Sequence, residues 1–152
     1  MTGYAMRTIN DFKKTENFLV SKLLSAQLDN FRVYSAVLDL NLLIEVNGDL
    51  ESRCVSITGD VSISDGINIH HKFSEIVASV YDLIGARVTS VKIEQDGTLT
   101  LCFGDKALTV KLDHESSEII WSVTPESPDP YEEHNWSVTL TDESELVMSQ
   151  AS

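Results

Sequence analysis

The sequence predicts a mostly antiparallel α+β fold, in which two packed sheets of four to five strands each are accompanied by two helices. Apolar residues alternate with polar ones through much of the chain, as is typical of half-buried strands. Two segments instead place apolar residues at three- and four-residue steps, as is typical of helices. One nine-residue stretch also occurs in two related copies, which indicates an internal duplication.

The duplication is visible when residues 23–31 are aligned with residues 83–91. Each copy follows a helix-like segment and leads into alternating strands. We therefore expect two pseudo-repeats, each of one helix and four strands, at approximately 11–66 and 68–148. No segment rich in Gly, Ser or Pro separates them, so residues 1–152 are expected to form a single domain.

The first half is predicted to begin with an amphipathic helix from Asp11, capped by Asn10 and continuing to about Leu24. Alternation then predicts a set of four strands, the strongest of which covers 38–46. Turn residues separate these strands at Asn47-Gly48-Asp49, Gly59-Asp60 and Asp65-Gly66. The four strands lie at or around residues 31–33, 38–46, 55–57 and 61–63.

The second half is predicted to begin with a helix over residues 69–84, capped by Asn68 and ended by Gly85. Three antiparallel strands are expected before residue 112, with hairpin turns at Asp96-Gly97 and Gly104-Asp105. Alternation resumes at 119–123, 136–140 and 146–148.

Cysteine placement and hydropathy indicate a cytoplasmic protein. Cys54 and Cys102 lie inside predicted strands and lack metal-ligand spacing, so both are expected to be reduced, buried thiols. No apolar run of 18 residues is present that could cross a bilayer. The N-terminal residues also lack the basic-then-apolar order of a secretory signal.

The charge balance excludes some classes of partner. The chain has 24 acidic and 11 basic residues, a net charge of −13, which argues against binding to nucleic acid or to an anionic membrane. From residue 113 onward there are ten acidic residues and no Lys or Arg. This segment is either a solvated surface that maintains solubility or a surface that binds a basic partner.

Catalytic and metal-binding motifs are absent from the sequence. It contains no GxSxG, P-loop, GxGxxG or HExxH pattern, so no catalytic residue, cofactor or metal site is predicted. His70-His71 has no distal ligand set, and adjacent residues such as Glu132, Glu133 and His134 point in different directions on a strand. An enzyme of unfamiliar type would need a polar, concave pocket around His114 or His134.

Two tryptophans stand in alternating strands, so core packing is the first interpretation of Trp121 and Trp136. Tyr131 and Trp136 also flank Glu132-Glu133. Aromatic side chains beside carboxylates on a loop are suited to anchoring a basic protein surface, because they provide a large contact area at low entropy cost.

The stretch LIGARVTSVKIEQDGTLTLCFGDKALTV at 83–110, followed by Trp121-Ser122-Val123 and Trp136-Ser137-Val138, resembles small bacterial immunity proteins. These are made beside polymorphic toxins, including those of contact-dependent growth inhibition. The resemblance covers about the C-terminal 70 residues. The repeated order of a helix and four strands is also similar to the Whirly fold of single-stranded-DNA-binding proteins, although the net charge of −13 disfavours that activity.

The resemblance implies cytoplasmic neutralisation of a cognate toxin, a basic nuclease, by covering its active site or substrate surface. The charge argument agrees independently, because a nuclease attracts phosphates with Lys and Arg and an acidic protein competes for that surface. An acidic binding module or assembly subunit with a different basic partner is the alternative, and the oligomeric state is left open. The predicted contact residues are Asp129, Tyr131, Glu132, Glu133, Trp136, Asp142, Glu143 and Glu145.

Overall fold

A computed structural model describes residues 11–35, 37–113, 119–125 and 134–150 of the chain. Two helices and eleven strands lie within these ranges. In chain order they are α1 (Phe12–Leu23), β1 (Gln27–Tyr34), β2 (Val37–Val46), β3 (Asp49–Ile57), β4 (Asp60–Ser64), β5 (Ile69–His70), α2 (Phe73–Asp82), β6 (Ser90–Ile93), β7 (Leu99–Phe103), β8 (Lys106–Lys111), β9 (Ile119–Thr124), β10 (Trp136–Thr141) and β11 (Leu146–Gln150).

The strands form two antiparallel sheets, which confirms the predicted fold class. Sheet A has the order β1-β2-β3-β9-β10-β11 and sheet B has the order β5-β4-β8-β7-β6. Sheet A has six strands, more than the four to five expected, because β10 pairs with β9 and β11 then pairs with β10 as a hairpin. Sheet B has five strands, of which β5 is only two residues long.

The predicted duplication appears in the topology. The four-strand order β1-β2-β3-β9 in sheet A matches the order β6-β7-β8-β4 in sheet B. Each half therefore builds three strands of one sheet and gives its fourth strand to the other. This exchange interlocks the two halves, because neither four-stranded unit is complete without a strand from the other half.

The backbone contacts between the two halves are also symmetric, and equivalent residues are 60 positions apart in the chain. Gln27 forms an isolated antiparallel bridge with Arg87, its counterpart in the alignment. The Ser25 N–H donates to Val88 O at 2.9 Å, and the equivalent Gly85 N–H donates to Leu28 O at 2.8 Å. The Gln27 and Arg87 side chains likewise donate to Gly85 O and Ser25 O. A pseudo-twofold axis thus passes between Gln27 and Arg87.

The chain changes sheets at Thr58-Gly59, between β3 of sheet A and β4 of sheet B. A Cβ atom on Gly59 would lie 2.4 Å from the Ile120 side chain and 2.7 Å from the backbone oxygen of Lys111. The two sheets approach so closely here that only glycine fits without displacing backbone. This explains why the predicted Gly59-Asp60 break separates two strands that belong to different sheets.

Both helices begin later than the sequence predicted. Asp11 is the N-cap of α1, since its side chain accepts a hydrogen bond from the Lys14 N–H, whereas Asn10 lies outside the described residues. Helix α2 begins at Phe73 rather than residue 69, and Lys72, not Asn68, is its N-cap. Asp65 Oδ1 instead accepts hydrogen bonds from the N–H groups of Ile67 and Asn68, closing a turn that leads into β5.

The apolar faces of both sheets and of both helices form one core. Its largest fully buried side chain is Trp121, and it includes residues from both repeats. Cys54 in β3 is buried and Cys102 in β7 is half-buried, and both are free thiols. Both lie inside strands, as expected, and those strands belong to different sheets. The expectation that both are buried is wrong for Cys102, because its side chain lies on the face of β7 opposite the core residues Leu101 and Phe103.

Candidate protein-binding surface

The structure separates the predicted contact residues that it describes into two places. Trp136 is the first residue of β10, whereas Asp142, Glu143 and Glu145 lie in the turn after its last residue. A six-residue strand is about 16 Å long, so the aromatic and acidic parts of the predicted contact lie at opposite ends of β10. The other predicted residues, Asp129, Tyr131, Glu132 and Glu133, lie outside the described residues.

Trp136 packs inside the molecule and is only 8% exposed. The Phe18 ring of α1 meets it edge to face, with centroids 5.6 Å apart. Lys22 Nζ and Arg53 Cζ lie 5.3 Å and 5.5 Å from the centre of its ring. These are cation–π distances, so Trp136 joins α1 to sheet A and little of its ring is left for a partner.

Arg53 is a buried charge that sequence reasoning did not single out. Its Nε donates to the backbone oxygen of Lys22 near the end of α1, and one terminal nitrogen donates to Ser52 O. The other terminal nitrogen pairs with Glu51 Oε1 at 3.1 Å. All three guanidinium nitrogens have partners, so Arg53 fixes the end of α1 to β3 and is not a candidate ligand-binding group.

The acidic turn after β10 is held in a defined shape by its own backbone. The Thr141 N–H donates to Glu145 O at 2.9 Å, and the Glu145 N–H donates to the Thr141 hydroxyl oxygen at 3.1 Å. Ser144 adopts a φ of 62°, which tightens the turn. Glu143 and Glu145 are exposed on this frame, and Asp142 is half-buried.

A second acidic turn, between β6 and β7, packs beside the first. The Trp121 indole N–H donates to Gly97 O at 2.9 Å, and a Cβ atom on Gly97 would lie 2.4 Å from the Leu140 side chain. Leu140 is the penultimate residue of β10, so this contact places Glu94 and Asp96 at the end of the molecule that carries the 142–145 turn. We call Glu94, Asp96, Asp142, Glu143 and Glu145 the acidic end.

Hydrogen bonding keeps one member of the acidic end firmly ionised. The backbone N–H of Thr98 donates to Asp96 Oδ1 at 2.9 Å. This bond, followed by one from the Thr98 hydroxyl, lowers the pKa of Asp96 below its ordinary value. Lys92 lies 3.4 Å from Glu94, but both side chains are well exposed, so the pair neutralises little of the local field.

Sequence reasoning found three of the five residues of the acidic end and missed Glu94 and Asp96. It recognised Asp96-Gly97 only as a turn. No local pattern could have joined residues 94–97 to residues 142–145, because their proximity depends on the packing of Gly97 against Leu140 across the two sheets.

The candidate metal and acid/base residues do not converge in the part of the chain that the structure describes. His70 Nδ1 lies 3.2 Å from Glu75 Oε2, and its Nε2 lies 3.6 Å from Asp65 Oδ2, so His70 links the start of α2 to the β4–β5 turn. Within the described ranges no group of three or more His, Cys, Asp or Glu side chains could hold a metal ion. His114 and Glu132-Glu133 lie outside those ranges.

Neither helix among the described residues is long and apolar enough to span a membrane. Comparisons of the chain with protein-family models, with curated proteins and with solved structures found no match.

Proposed function

We propose that this protein is a cytoplasmic, immunity-type inhibitor that binds a basic, nuclease-type toxin and covers its active site or substrate surface. The observation that carries the proposal is the acidic end, where two turns from different sheets hold five carboxylates on a rigid support. Asp129, Tyr131, Glu132 and Glu133 remain proposed contacts in the same acidic C-terminal segment.

Charge supports this function more strongly than any other bulk property. A net charge of −13 favours rapid encounter with a basic protein and opposes binding to nucleic acid. A nuclease binds phosphates through clustered Lys and Arg, and carboxylates fixed at similar spacing compete for those groups. Inhibition then requires no chemistry in this chain, only occupation of the cationic surface.

The rigidity of the acidic end supports a direct contact. Backbone hydrogen bonds hold the 142–145 turn, while Trp121 and Leu140 hold the 94–97 turn. Preorganised carboxylates lose little conformational entropy when they bind, so more of the electrostatic attraction is retained as affinity.

Charge reversal tests the placement of the contact. In the variant Glu143→Lys/Glu145→Lys, we expect the association rate constant for the adjacently encoded toxin domain to fall about tenfold at low salt. The matched control Asp82→Lys/Asp105→Lys makes the same change in net charge at two exposed positions outside the acidic end and should change the rate much less. Stopped-flow association at two salt concentrations measures both.

Equal slowing of the two variants would mean that only the overall charge matters and would remove the acidic end from the contact. An unchanged rate would do the same. Absence of any complex between the wild-type protein and that toxin domain, together with no protection from growth arrest when the two are expressed together, would overturn the immunity function itself.

The second candidate function, a binding module or assembly subunit with a different basic partner, is favoured by the outer edge of β1. Among the described residues, only β2 pairs with β1 along its length, apart from the bridge at Gln27. An edge strand accepts a further strand by backbone hydrogen bonding. A stable homo-oligomer of the isolated protein, with no affinity for the toxin domain, would favour this candidate.

A further inference from the structure

The solvent-facing side of sheet A contains a polar cleft of about 230 Å³ across β1, β2 and β3. Its volume is below the roughly 300–1,000 Å³ of small-molecule and cofactor pockets, so it suits a single side chain better than a cofactor. The polar residues that line it are Asn30, Arg32, Asp39, Asn41, Ser52 and Cys54.

Strand register brings these residues together. Asn30 lies opposite Asn41, which in turn lies opposite Cys54 on β3. Arg32 lies opposite Asp39 in the neighbouring cross-strand pair. Since alternate residues of a strand share a face, both pairs project from the face of sheet A that is turned away from the core.

Asp39 is the unusual member of the cleft because it is only 4% exposed. Its Oδ2 accepts a hydrogen bond from the Tyr34 hydroxyl at 2.8 Å. Its Oδ1 is also buried but accepts no hydrogen bond within the described part of the chain. No Lys, Arg or His of that part lies within ion-pair distance of this carboxylate. A buried carboxylate without a counter-ion lowers the stability of the fold, because its desolvation is not compensated. A cationic group bound beside it would offset this loss.

Three other side chains that line the cleft, Asn30, Asn41 and Ser52, carry oxygen atoms that can accept hydrogen bonds. Asn41 Oδ1 has only a weak contact, 3.9 Å from Cys54 Sγ. Burial, and then the charge of Asp39, raise the pKa of the Cys54 thiol, while Arg32 opposes them. The thiol therefore stays protonated at neutral pH, so the cleft is suited to binding and not to nucleophilic chemistry.

We propose that this cleft binds the guanidinium group of an arginine side chain from the basic partner, with Asp39 as the principal acceptor. This inference rests on the proposed function, since that function supplies the basic partner. Guanidinium is planar and has five N–H donors, so it can bond to Asp39, Asn41 and Ser52 together, whereas the lysine ammonium has three donors at one point.

Arg32 carries the same charge as the proposed ligand, but its side chain is exposed and water screens it. Asp39 is buried and its charge is screened much less. The electrostatic field inside the cleft is therefore set mainly by the carboxylate. The exposed Arg32 guanidinium is free of any close ion pair with Asp39 and can donate to a backbone carbonyl of the bound partner.

The first test uses L-argininamide as the probe and L-citrullinamide as its uncharged isostere, and does not require the toxin. In ¹H–¹⁵N NMR titrations of the full chain, argininamide should give saturable shifts at the amides of Asn30, Asp39 and Asn41. We expect citrullinamide to bind at least about tenfold more weakly, since it lacks the charge that pairs with Asp39. Asp39→Asn should lose the response, while Asp142→Asn should keep it.

The melting temperature of the isosteric Asp39→Asn variant also separates a binding role from a structural one, because the two roles predict changes of opposite sign. It keeps an oxygen for the Tyr34 hydroxyl and removes the unpaired buried charge, so its melting temperature at pH 7 should rise by about 2–4 °C. A fall in the melting temperature would show that the carboxylate stabilises the fold and would overturn the binding role.

Absence of saturable shifts, or an equal response to both probes or in Asp39→Asn, would overturn the proposed cleft. Binding of the toxin domain is a second and separate test of the cleft. At least about tenfold weaker binding to Asp39→Asn than to the wild-type protein supports the proposal, and equal binding overturns it while the proposed function stands. Argininamide binding in the cleft without any toxin complex would instead remove the proposed function alone and leave the cleft as an arginine site.

Discussion

The outer edges of β1 and β6 are equivalent positions in the two repeats, yet among the described residues a helix side chain bonds to the edge of β6 and not to that of β1. On β6, the Glu16 carboxylate of α1 accepts a hydrogen bond from the Ile93 N–H at 2.9 Å. The residue equivalent to Ile93 on β1 is Val33, which is 41% exposed. The residue equivalent to Glu16 is Ile76 of α2, which is buried in the core.

The difference shows how one topology can give one closed and one open edge. The polar residue at position 16 of α1 bonds to the edge of β6, whereas the apolar residue at position 76 of α2 is buried in the core. Unpaired edges are normally blocked by charges, helices or bulges, because they invite association with other chains. The open edge belongs to β1, and β1 also contributes residues to the cleft that contains Asp39.

The largest expected effect comes from the turn that follows the closed edge. Gly97 has a φ of 92° and no space for a Cβ atom beside Leu140. We expect Gly97→Ala to lower the free energy of unfolding by about 3 kcal/mol, through left-handed backbone strain plus overpacking. Urea denaturation measures this loss.

Gly48→Ala is the matched control, since Gly48 has a φ of 87° and no atom lies within 4 Å of the position that a Cβ atom would take. It should lower the free energy of unfolding by only about 1 kcal/mol, through the backbone strain alone. Equal losses in the two variants would mean that the contact with Leu140 does not hold the turn in place.

The next effect comes from opening the closed edge. Glu16→Ala leaves the Ile93 N–H without its acceptor and should lower the free energy of unfolding by about 2 kcal/mol. Lys13→Ala, which removes only an exposed ion pair with Glu16, should change it by less than about 0.5 kcal/mol. A comparable loss in both variants would assign the effect to the ion pair.

This contact also gives a pH dependence with a definite sign. The hydrogen bond from Ile93 lowers the pKa of Glu16 below the ordinary value of 4.5. Its contribution to stability is therefore complete above pH 4.5 and is lost as the pH falls through the lower pKa of the folded state. The difference in unfolding free energy between wild type and Glu16→Gln should shrink below about pH 4.5, and a constant difference down to about pH 2 would contradict this.

The smallest effect is local and does not require a change in overall stability. Amide hydrogen exchange at Ile93 should be at least about tenfold slower than at Val33, because Glu16 occupies the Ile93 N–H and Val33 is exposed. The ratio should fall toward unity in Glu16→Ala. Equal protection in the wild-type protein would mean that the two edges do not differ in solution.

The elements with strong local patterns were predictable from the sequence. Alternation located the long strand β2 and the core positions of β7, and the Asp96-Gly97 and Gly104-Asp105 turns fall between the predicted strands. The start of α2 was not predictable, because Ile69 and His70 pair with β4 while their spacing also fits a helix. Short apolar segments have this ambiguity, which only strand pairing resolves.

The candidate surfaces were predictable only in part. The sequence indicated a basic partner through its charge. It also grouped Trp136 with Asp142, Glu143 and Glu145, but Trp136 lies at the start of β10 and the three acidic residues follow its end. Alternation along β2 also puts Asp39 on the opposite face from the apolar residues of that strand. The structure buries this residue beside Tyr34 because neighbouring strands bring other side chains over it.

The sequence by itself determined most of the local structure, the duplication and the acidic character of this protein, since these follow from periodic patterns, from an alignment of the chain with itself and from composition. The tertiary structure decided the exchange of the fourth strand between the repeats, the meeting of two acidic turns, the closed and open edges, and the buried carboxylate of Asp39. These features depend on contacts between residues such as Gly97 and Leu140, or Glu16 and Ile93, that lie 43 and 77 positions apart. No periodic pattern within a segment specifies such pairs, because they are selected by the packing of the whole core.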